Sequence, residues 1–256
     1  MIKIVVSDID GTLLFPKEER ISDRIKEVIW KLEKKGILFV AASGRSYNDL
    51  RYLFGEVADN IAFIASDGAL TIYQNQVIGK YPLEKTKALS FIQDVQKETH
   101  AQAAVYCDYM TYTDSKTEGF LKMMRRNMRN HLMTIEPLEK IQQKFLKIGI
   151  YYKDTIQEEM MELLPYWDKQ FHRVYSSDDW IEYTDAGVNK GVGLEKLYKT
   201  FGVLPSEIVA IGDSGNDKEM LKLAGISYAM QHAPDFIKNI CDYQTINAVE
   251  IIEKLL

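Results

Sequence analysis

The chain has 256 residues, 46% of them hydrophobic and 27% charged, with 37 acidic against 32 basic residues and a formal net charge of −5. That length allows one large or two modest domains with a sizeable core, which excludes a small cross-linked scaffold, and the acidic balance argues against a general nucleic-acid binder. Cys107 and Cys241 stand alone, and His100, His131, His172 and His232 match no local metal spacing, so neither a disulfide framework nor a zinc site is expected.

The N-terminal stretch from Met1 turns acidic at Asp8 before a signal-like apolar run can develop. No run of ~20 uncharged apolar residues follows anywhere, so a soluble, cytoplasmic protein without membrane segments is expected. Four short, nearly continuous apolar runs read as parallel strands covered on both faces: Ile2–Ser7, Ile37–Ala42, Ile61–Ala65 and Ile208–Ile211. Between the first two, Ile25, Val28, Ile29 and Leu32 fall at helical spacing, and Lys34-Lys35-Gly36 supplies the charge and the glycine that end a helix. Strand, helix and strand in that order form a right-handed βαβ unit.

From about Tyr81 to Asp185 the texture changes. Runs at Ala104–Cys107, Met110–Thr113, Leu146–Tyr152 and Trp180–Thr184 read as half-exposed antiparallel strands, mixed with helices over about Glu84–Glu98, Ser115–Arg129 and Thr155–Leu164. The expected architecture is α/β, a Rossmann-like parallel-sheet core of residues 1–81 and 185–256 with an inserted α+β cap domain, 82–184. Lys122, Arg125, Arg126 and Arg129 make one basic stripe on the second of those helices, open to a phosphate-rich substrate or nucleic acid, or to solvent alone.

Open parallel sheets bind ligands at the carboxyl ends of their strands. Here those ends read Asp8-Ile9-Asp10-Gly11-Thr12, Ser43-Gly44-Arg45, Ser66-Asp67-Gly68 and Gly212-Asp213-Ser214-Gly215-Asn216-Asp217, so acids some 200 positions apart would meet on one rim. Clustered carboxylates repel, and a hard divalent cation relieves the conflict; oxygen ligands without nearby sulfur or imidazole select Mg2+, which most often serves phosphate chemistry. The same rim offers phosphoryl donors in the Ser43 hydroxyl, the Asn216 amide and backbone N–H groups from Ile9 to Gly11 and at the helix start after Gly44. Lys190, at a helix start about twenty residues ahead of Asp213, would bring an ammonium beside them.

Together, Asp8-Ile-Asp-Gly-Thr, Ser43, Lys190-Gly191 and Gly212-Asp213-Ser-Gly-Asn216-Asp217 resemble the four ordered motifs of the haloacid dehalogenase (HAD) superfamily, and within it the Cof-like phosphatases. Thirty residues separate Thr12 from Ser43 and 146 separate Ser43 from Lys190, so the insert follows the second motif, as in the superfamily's C2 cap class. The resemblance implies a phosphatase acting on a small phosphorylated metabolite, a sugar phosphate or a nucleotide or cofactor phosphate, under a mobile cap that excludes water. It implies Asp8 as carboxylate nucleophile and Asp10 as general acid and base. It also implies Mg2+ on the Asp8 and Asp213 side chains and the Asp10 carbonyl, with Asp217 behind them orienting Lys190 or metal-bound water. The phosphoryl group would be held by Ser43, Lys190, Asn216 and the backbone at Ile9 and Gly44. Two departures from the common pattern, Asp67 for an Asn and Gln231-His232 for Gly-Asn, fall where such folds meet the leaving group. Transfer of the phosphoryl group to a sugar hydroxyl, as in a mutase, and phosphoester binding without turnover are the two competing readings; neither nucleic acid nor a membrane is an expected partner, and oligomeric state is left open.

Overall fold

A computed structural model of the chain describes residues 1–16, 18–128, 131–153, 158–177 and 179–256. The first apolar run forms β1 (Ile4–Asp8), buried at all five positions, as a strand inside a parallel sheet must be. Next comes α1 (Asp23–Lys34), whose Ser22 cap accepts the Ile25 N–H and whose buried stripe is Ile25, Val28, Ile29 and Leu32, as the spacing predicts. It stops with Lys31 and Lys34 in its last turn and with Gly36 in the left-handed region at φ 70°. β2 (Leu38–Ala42), α2 (Tyr47–Phe54) and β3 (Ala62–Ala65) follow, then an antiparallel hairpin of β4 (Leu70–Tyr73) and β5 (Gln76–Lys80). The sequence reading has no strands there, because the hairpin turns on Gln74 and Asn75, both at positive φ, without the glycine that usually marks such a turn.

The next stretch contains α3 (Lys85–Thr99), β6 (Gln102–Tyr106), β7 (Thr111–Thr113), α4 (Glu118–Met128), β8 (Leu132–Thr134), β9 (Lys147–Tyr151), α5 (Glu158–Trp167), β10 (Phe171–Ser177) and β11 (Trp180–Asp185). The chain then continues through α6 (Lys190–Phe201), β12 (Ile208–Gly212), α7 (Lys218–Leu223), β13 (Ile226–Met230), α8 (Asp235–Lys238), β14 (Tyr243–Thr245) and α9 (Ala248–Glu253). These elements divide into two compact units, Met1–Lys80 with Asn189–Leu256, and Tyr81–Val188. The second crossing lies beyond residue 184, where the sequence reading sets it, because the turn after β11 stays with its strand: Val188 N–H donates to the Asp185 carbonyl, and Thr184 Oγ1 donates to the Val188 carbonyl.

In the inserted unit a six-stranded sheet runs β10-β11-β9-β6-β7-β8, antiparallel throughout except between β7 and β8. Strand alternation sends Val105, Ile148, Ile150 and Tyr183 into a core shared with Phe91, Ile92 and Val95 of α3, while Ala104 and Tyr106 pack with Phe120 and Met124 of α4. Strands β8 and β10 are absent from the sequence reading; β8 is short and β10 interleaves polar residues. Lys122, Arg125 and Arg126 are exposed on α4, whereas Arg129, like Thr155 and Ile156 of the expected third helix, lies outside the described residues.

The other unit carries an eight-stranded sheet in the order β14-β13-β12-β1-β2-β3-β4-β5, parallel from β14 to β3. β12, β1, β2 and β3 are consecutive neighbours, so Asp8, Ser43, Ser66 and Asp213 all leave from one edge of the sheet. Helix α6 brings Lys190 to that edge. Its Gly193 lies so close to the sheet that a Cβ there would come within 2.6 Å of Ile64 Cγ2 and 2.9 Å of Thr71 Oγ1. Gly193→Ala gains about 1 kcal/mol of helix propensity and loses about 1–3 kcal/mol to overpacking against rigid branched side chains, so a net loss is expected. A urea titration checks this; a stabilised variant would mean that α6 can lift from the sheet.

Candidate active site

The edge is built from turns that bend sharply after each strand. After β1 the Ile9 carbonyl accepts the N–H groups of Thr12, Leu13 and Leu14 at 3.2, 2.9 and 2.8 Å, which folds the chain back at once. Gly11 lies in the left-handed region at φ 90°, and any Cβ there would collide with Asp213 Oδ2. After β2, Ser43 N–H donates to the Ile64 carbonyl, its carbonyl accepts Asp67 N–H, and its Oγ accepts Arg45 N–H at 3.1 Å. Helix α2 starts only at Tyr47 and is capped by Ser46, so Ser43 is not its cap and the helix-start N–H groups lie further along than the sequence reading has them. After β3, Ser66 and Asp67 are both left-handed, at φ 50° and 54°. Non-glycine residues held so cost roughly 1–3 kcal/mol each, a strain that functional sites often store.

These turns surround Lys190. Its ammonium is fully buried and donates to Asp8 Oδ1 at 2.5 Å, to Asp217 Oδ1 at 2.6 Å and to Asn216 Oδ1 at 3.4 Å. Asp217 is saturated, because its Oδ2 also accepts the N–H groups of Asp213 and Ser214 at 2.9 and 3.0 Å. Asn216 Nδ2 donates to Asp67 Oδ1 at 2.9 Å, and the Asp67 carboxylate fills the space beside Gly44, where a Cβ would sit 3.1 Å from Oδ2. Of the expected site residues, Asp8, Lys190, Asp213, Asn216 and Asp217 are thus brought together, with Ser43 and Gly44 one strand away.

Asp10 is placed differently. Its half-exposed carboxylate is held by both arms of Arg45, Nε to Oδ2 at 2.8 Å and Nη2 to Oδ1 at 2.6 Å. The hydrogen bond to Asp10 raises the Arg45 pKa although burial opposes it. Sequence reasoning gives Arg45 no role, although it directly follows the Ser43-Gly44 pair. It also leaves His232 without a partner, whereas His232 Nε2 lies 3.2 Å from Asp213 Oδ2.

The electrostatics follow from burial. Desolvation, reinforced by Asp217, pushes the Asp8 carboxyl well above its ordinary range despite the opposing pull of Lys190. Desolvation and then Asp217 raise Asp213 as well. For Lys190 burial acts downward, but the Asp217, Asp8 and Asp67 carboxylates outweigh it and hold the ammonium charged. Oxygen atoms of Asp8, Asp213 and Asp217 lie within 4.8 Å of one another. Asp8 Oδ2 and Asp213 Oδ1 are buried and, among the described residues, have no hydrogen-bond partner. Two orphaned carboxylate oxygens in a cluster with excess negative charge suit a hard divalent cation.

A model of the haloacid dehalogenase-like hydrolase family matches residues 5–250, and the chain belongs to that family. It is 27% identical to the 5-amino-6-(5-phospho-D-ribitylamino)uracil phosphatase YbjI of Escherichia coli, over all of this chain and 96% of that protein. It is 28% identical to phosphoglycolate phosphatase 1 of Saccharolobus solfataricus, again over all of this chain and 96% of that one. A crystal structure from Eubacterium rectale superposes with a TM-score of 0.91 at 23% identity, covering 100% of this chain and 99% of that one, and so shares the fold. The chain is accordingly a phosphatase of the haloacid dehalogenase-like hydrolases. No helix among the described residues is long and apolar enough to cross a membrane.

The raised carboxyls set a pH dependence. Asp8 and Asp213 bind more protons folded than unfolded, so their contribution to stability is fully present below the ordinary carboxylate range and is lost as pH rises through their raised values. The melting temperature of the metal-free protein is expected to rise as pH falls from neutrality towards mild acid, and Asp8→Asn should flatten that slope. Added divalent cation should stabilise more at neutral than at acid pH, since it competes with protons. Differential scanning calorimetry across this window checks both; a slope of opposite sign would remove the argument.

Proposed function

We propose that this chain is a Mg2+-dependent phosphatase that hydrolyses a small phosphorylated metabolite through an aspartyl-phosphate on Asp8. The observation that carries the reading is the Asp8 carboxylate itself, buried at the end of β1, held at Oδ1 by Lys190 and, among the described residues, without a hydrogen-bond partner at Oδ2. The carboxylate attacks the phosphorus and the bond to the leaving alkoxide breaks, while Asp10 delivers the proton that the alkoxide needs. Water then attacks the phosphorus of the aspartyl-phosphate and gives its proton to Asp10, which frees Asp8 and releases inorganic phosphate. Both oxygens of Asp10 rest on Arg45, so proton transfer requires that pair to open; its exposure keeps the cost small.

Lys190, the Ser43 hydroxyl, the second amide hydrogen of Asn216 and the N–H groups of Ile9 and Gly44 hold the phosphoryl oxygens, and Asp217 fixes Lys190 in line with Asp8. Asp8, Asp213 and the Asp10 carbonyl would hold Mg2+, which when bound supplies positive charge to the phosphoryl oxygens. The activity named for YbjI supports a sugar, nucleotide or cofactor phosphate and makes a phosphorylated ribitylamino-pyrimidine the first compound to try.

Phosphate release from p-nitrophenyl phosphate is expected to require added Mg2+ and to fall by at least about three orders of magnitude in Asp8→Asn, with its fold checked by circular dichroism. Turnover that survives in Asp8→Asn would overturn the assignment of the nucleophile.

A further inference from the structure

The proposed chemistry gives His232 no part, yet it contacts the site directly. It lies in the turn after β13, tied on both sides, since Gln231 N–H donates to the Thr245 carbonyl and Ala233 N–H to the Met230 carbonyl. Its imidazole extends over the Gly11 turn, where a Cβ on Gly11 would lie 3.6 Å from Nε2. With Asp213 ionised its oxygens can only accept, so in that state the 3.2 Å contact is a hydrogen bond from Nε2–H to Asp213 Oδ2.

The two oxygens of Asp213 are thereby made unequal. Oδ2 is turned to the imidazole, while Oδ1 is buried without a hydrogen-bond partner among the described residues. Neighbouring Asp217 is the opposite case, since Lys190 and two backbone N–H groups engage both of its oxygens. Of the three clustered carboxylates, Asp8 and Asp213 therefore retain an oxygen for a cation, and only on Asp213 does a histidine decide which oxygen that is. The terminal carboxylate torsion is soft and nearly two-fold, so without a donor on one side the group samples both orientations and many between.

We propose that His232 is a positioning residue for the divalent cation: by donating to Asp213 Oδ2 it turns Oδ1 towards the position that Asp8 Oδ2 shares. The inference rests on the reading that Asp8 and Asp213 hold the cation. A hydrogen-bonded partner behind a ligating carboxylate typically contributes about 10- to 100-fold to metal affinity.

Calorimetric titration of Mg2+ into the metal-free full-length protein tests this with His232→Ala, His232→Gln and Asp213→Asn. His232→Ala should bind Mg2+ about 10- to 100-fold more weakly, while its metal-free melting temperature stays at the wild-type value because the imidazole is half exposed. His232→Gln, whose amide N–H reaches as far as Nε2, should recover most of the affinity, and Asp213→Asn should lose it. If Asp213→Asn loses binding but His232→Ala does not, the positioning role is overturned and the cation site stands. If Asp213→Asn binds as tightly as wild type, the cation site itself is overturned and this role with it. A loss of metal-free stability in His232→Ala that glutamine does not restore would make the histidine structural and also overturn the proposal.

Discussion

A single buried ammonium must serve more carboxylates than it can neutralise. Lys190 donates to Asp8 and Asp217, feels Asp67 as well, and has Asp213 just beyond. Paired buried charges are tolerable only with near-complete hydrogen bonding, and the structure achieves this unevenly. Lys190 and Asp217 have full sets of partners. Asp8 and Asp213 each keep one oxygen that nothing in the described protein satisfies. The deficit falls on the two groups that would have to meet a cation and a phosphoryl group, so the unmet demand and the proposed chemistry coincide. A cluster satisfied throughout would be more stable without metal and would have nothing to bind with.

The cluster exists because the backbone permits it. Asp8 ends the strand between β2 and β12, and each neighbouring strand turns away within one or two residues, so side chains from four segments reach one volume without any long loop. Two close approaches keep it tight. Gly11 lets the first turn pass beneath Asp213, where any side chain would collide, and Gly193 lets α6 lie flat enough for Lys190 to reach Asp8. In both places the absence of a Cβ sets a distance in the site.

Much of this was legible in the sequence because it depends on features that are local in the chain. The apolar runs locate the strands, the acids that end them locate the edge, and the order of the motifs leads to Asp8, Lys190, Asp213, Asn216 and Asp217. Pairings across the site were not legible. Arg45 could have turned to solvent; that it clasps Asp10 depends on β1 and β2 being neighbours in register, Asp8 opposite Ala42. Asp67 is drawn to Asn216 by two successive left-handed residues, Ser66 and Asp67, a run that the mild tolerance of Asp for that conformation does not announce, and His232 meets Asp213 only because β12 and β13 are adjacent. The β4–β5 hairpin and β10 went unread for a simpler reason: a glycine-free turn and a strand with interleaved polar residues carry little periodic signal.

The two compact units have separate structural demands. Tyr81–Val188 has its own sheet and its own core, in which Phe91, Trp167, Phe171 and Tyr183 form a set of edge and stacked ring contacts. Its exposed polar residues can therefore change without loosening that core, although the buried Lys147–Glu182 pair cannot, and none of the hydrogen bonds described within the carboxylate cluster runs through it. The cluster has no such freedom, since each carboxylate there helps to fix the charge or the orientation of another. A substitution at Asp8, Lys190, Asp213 or Asp217 consequently unbalances the whole cluster at once.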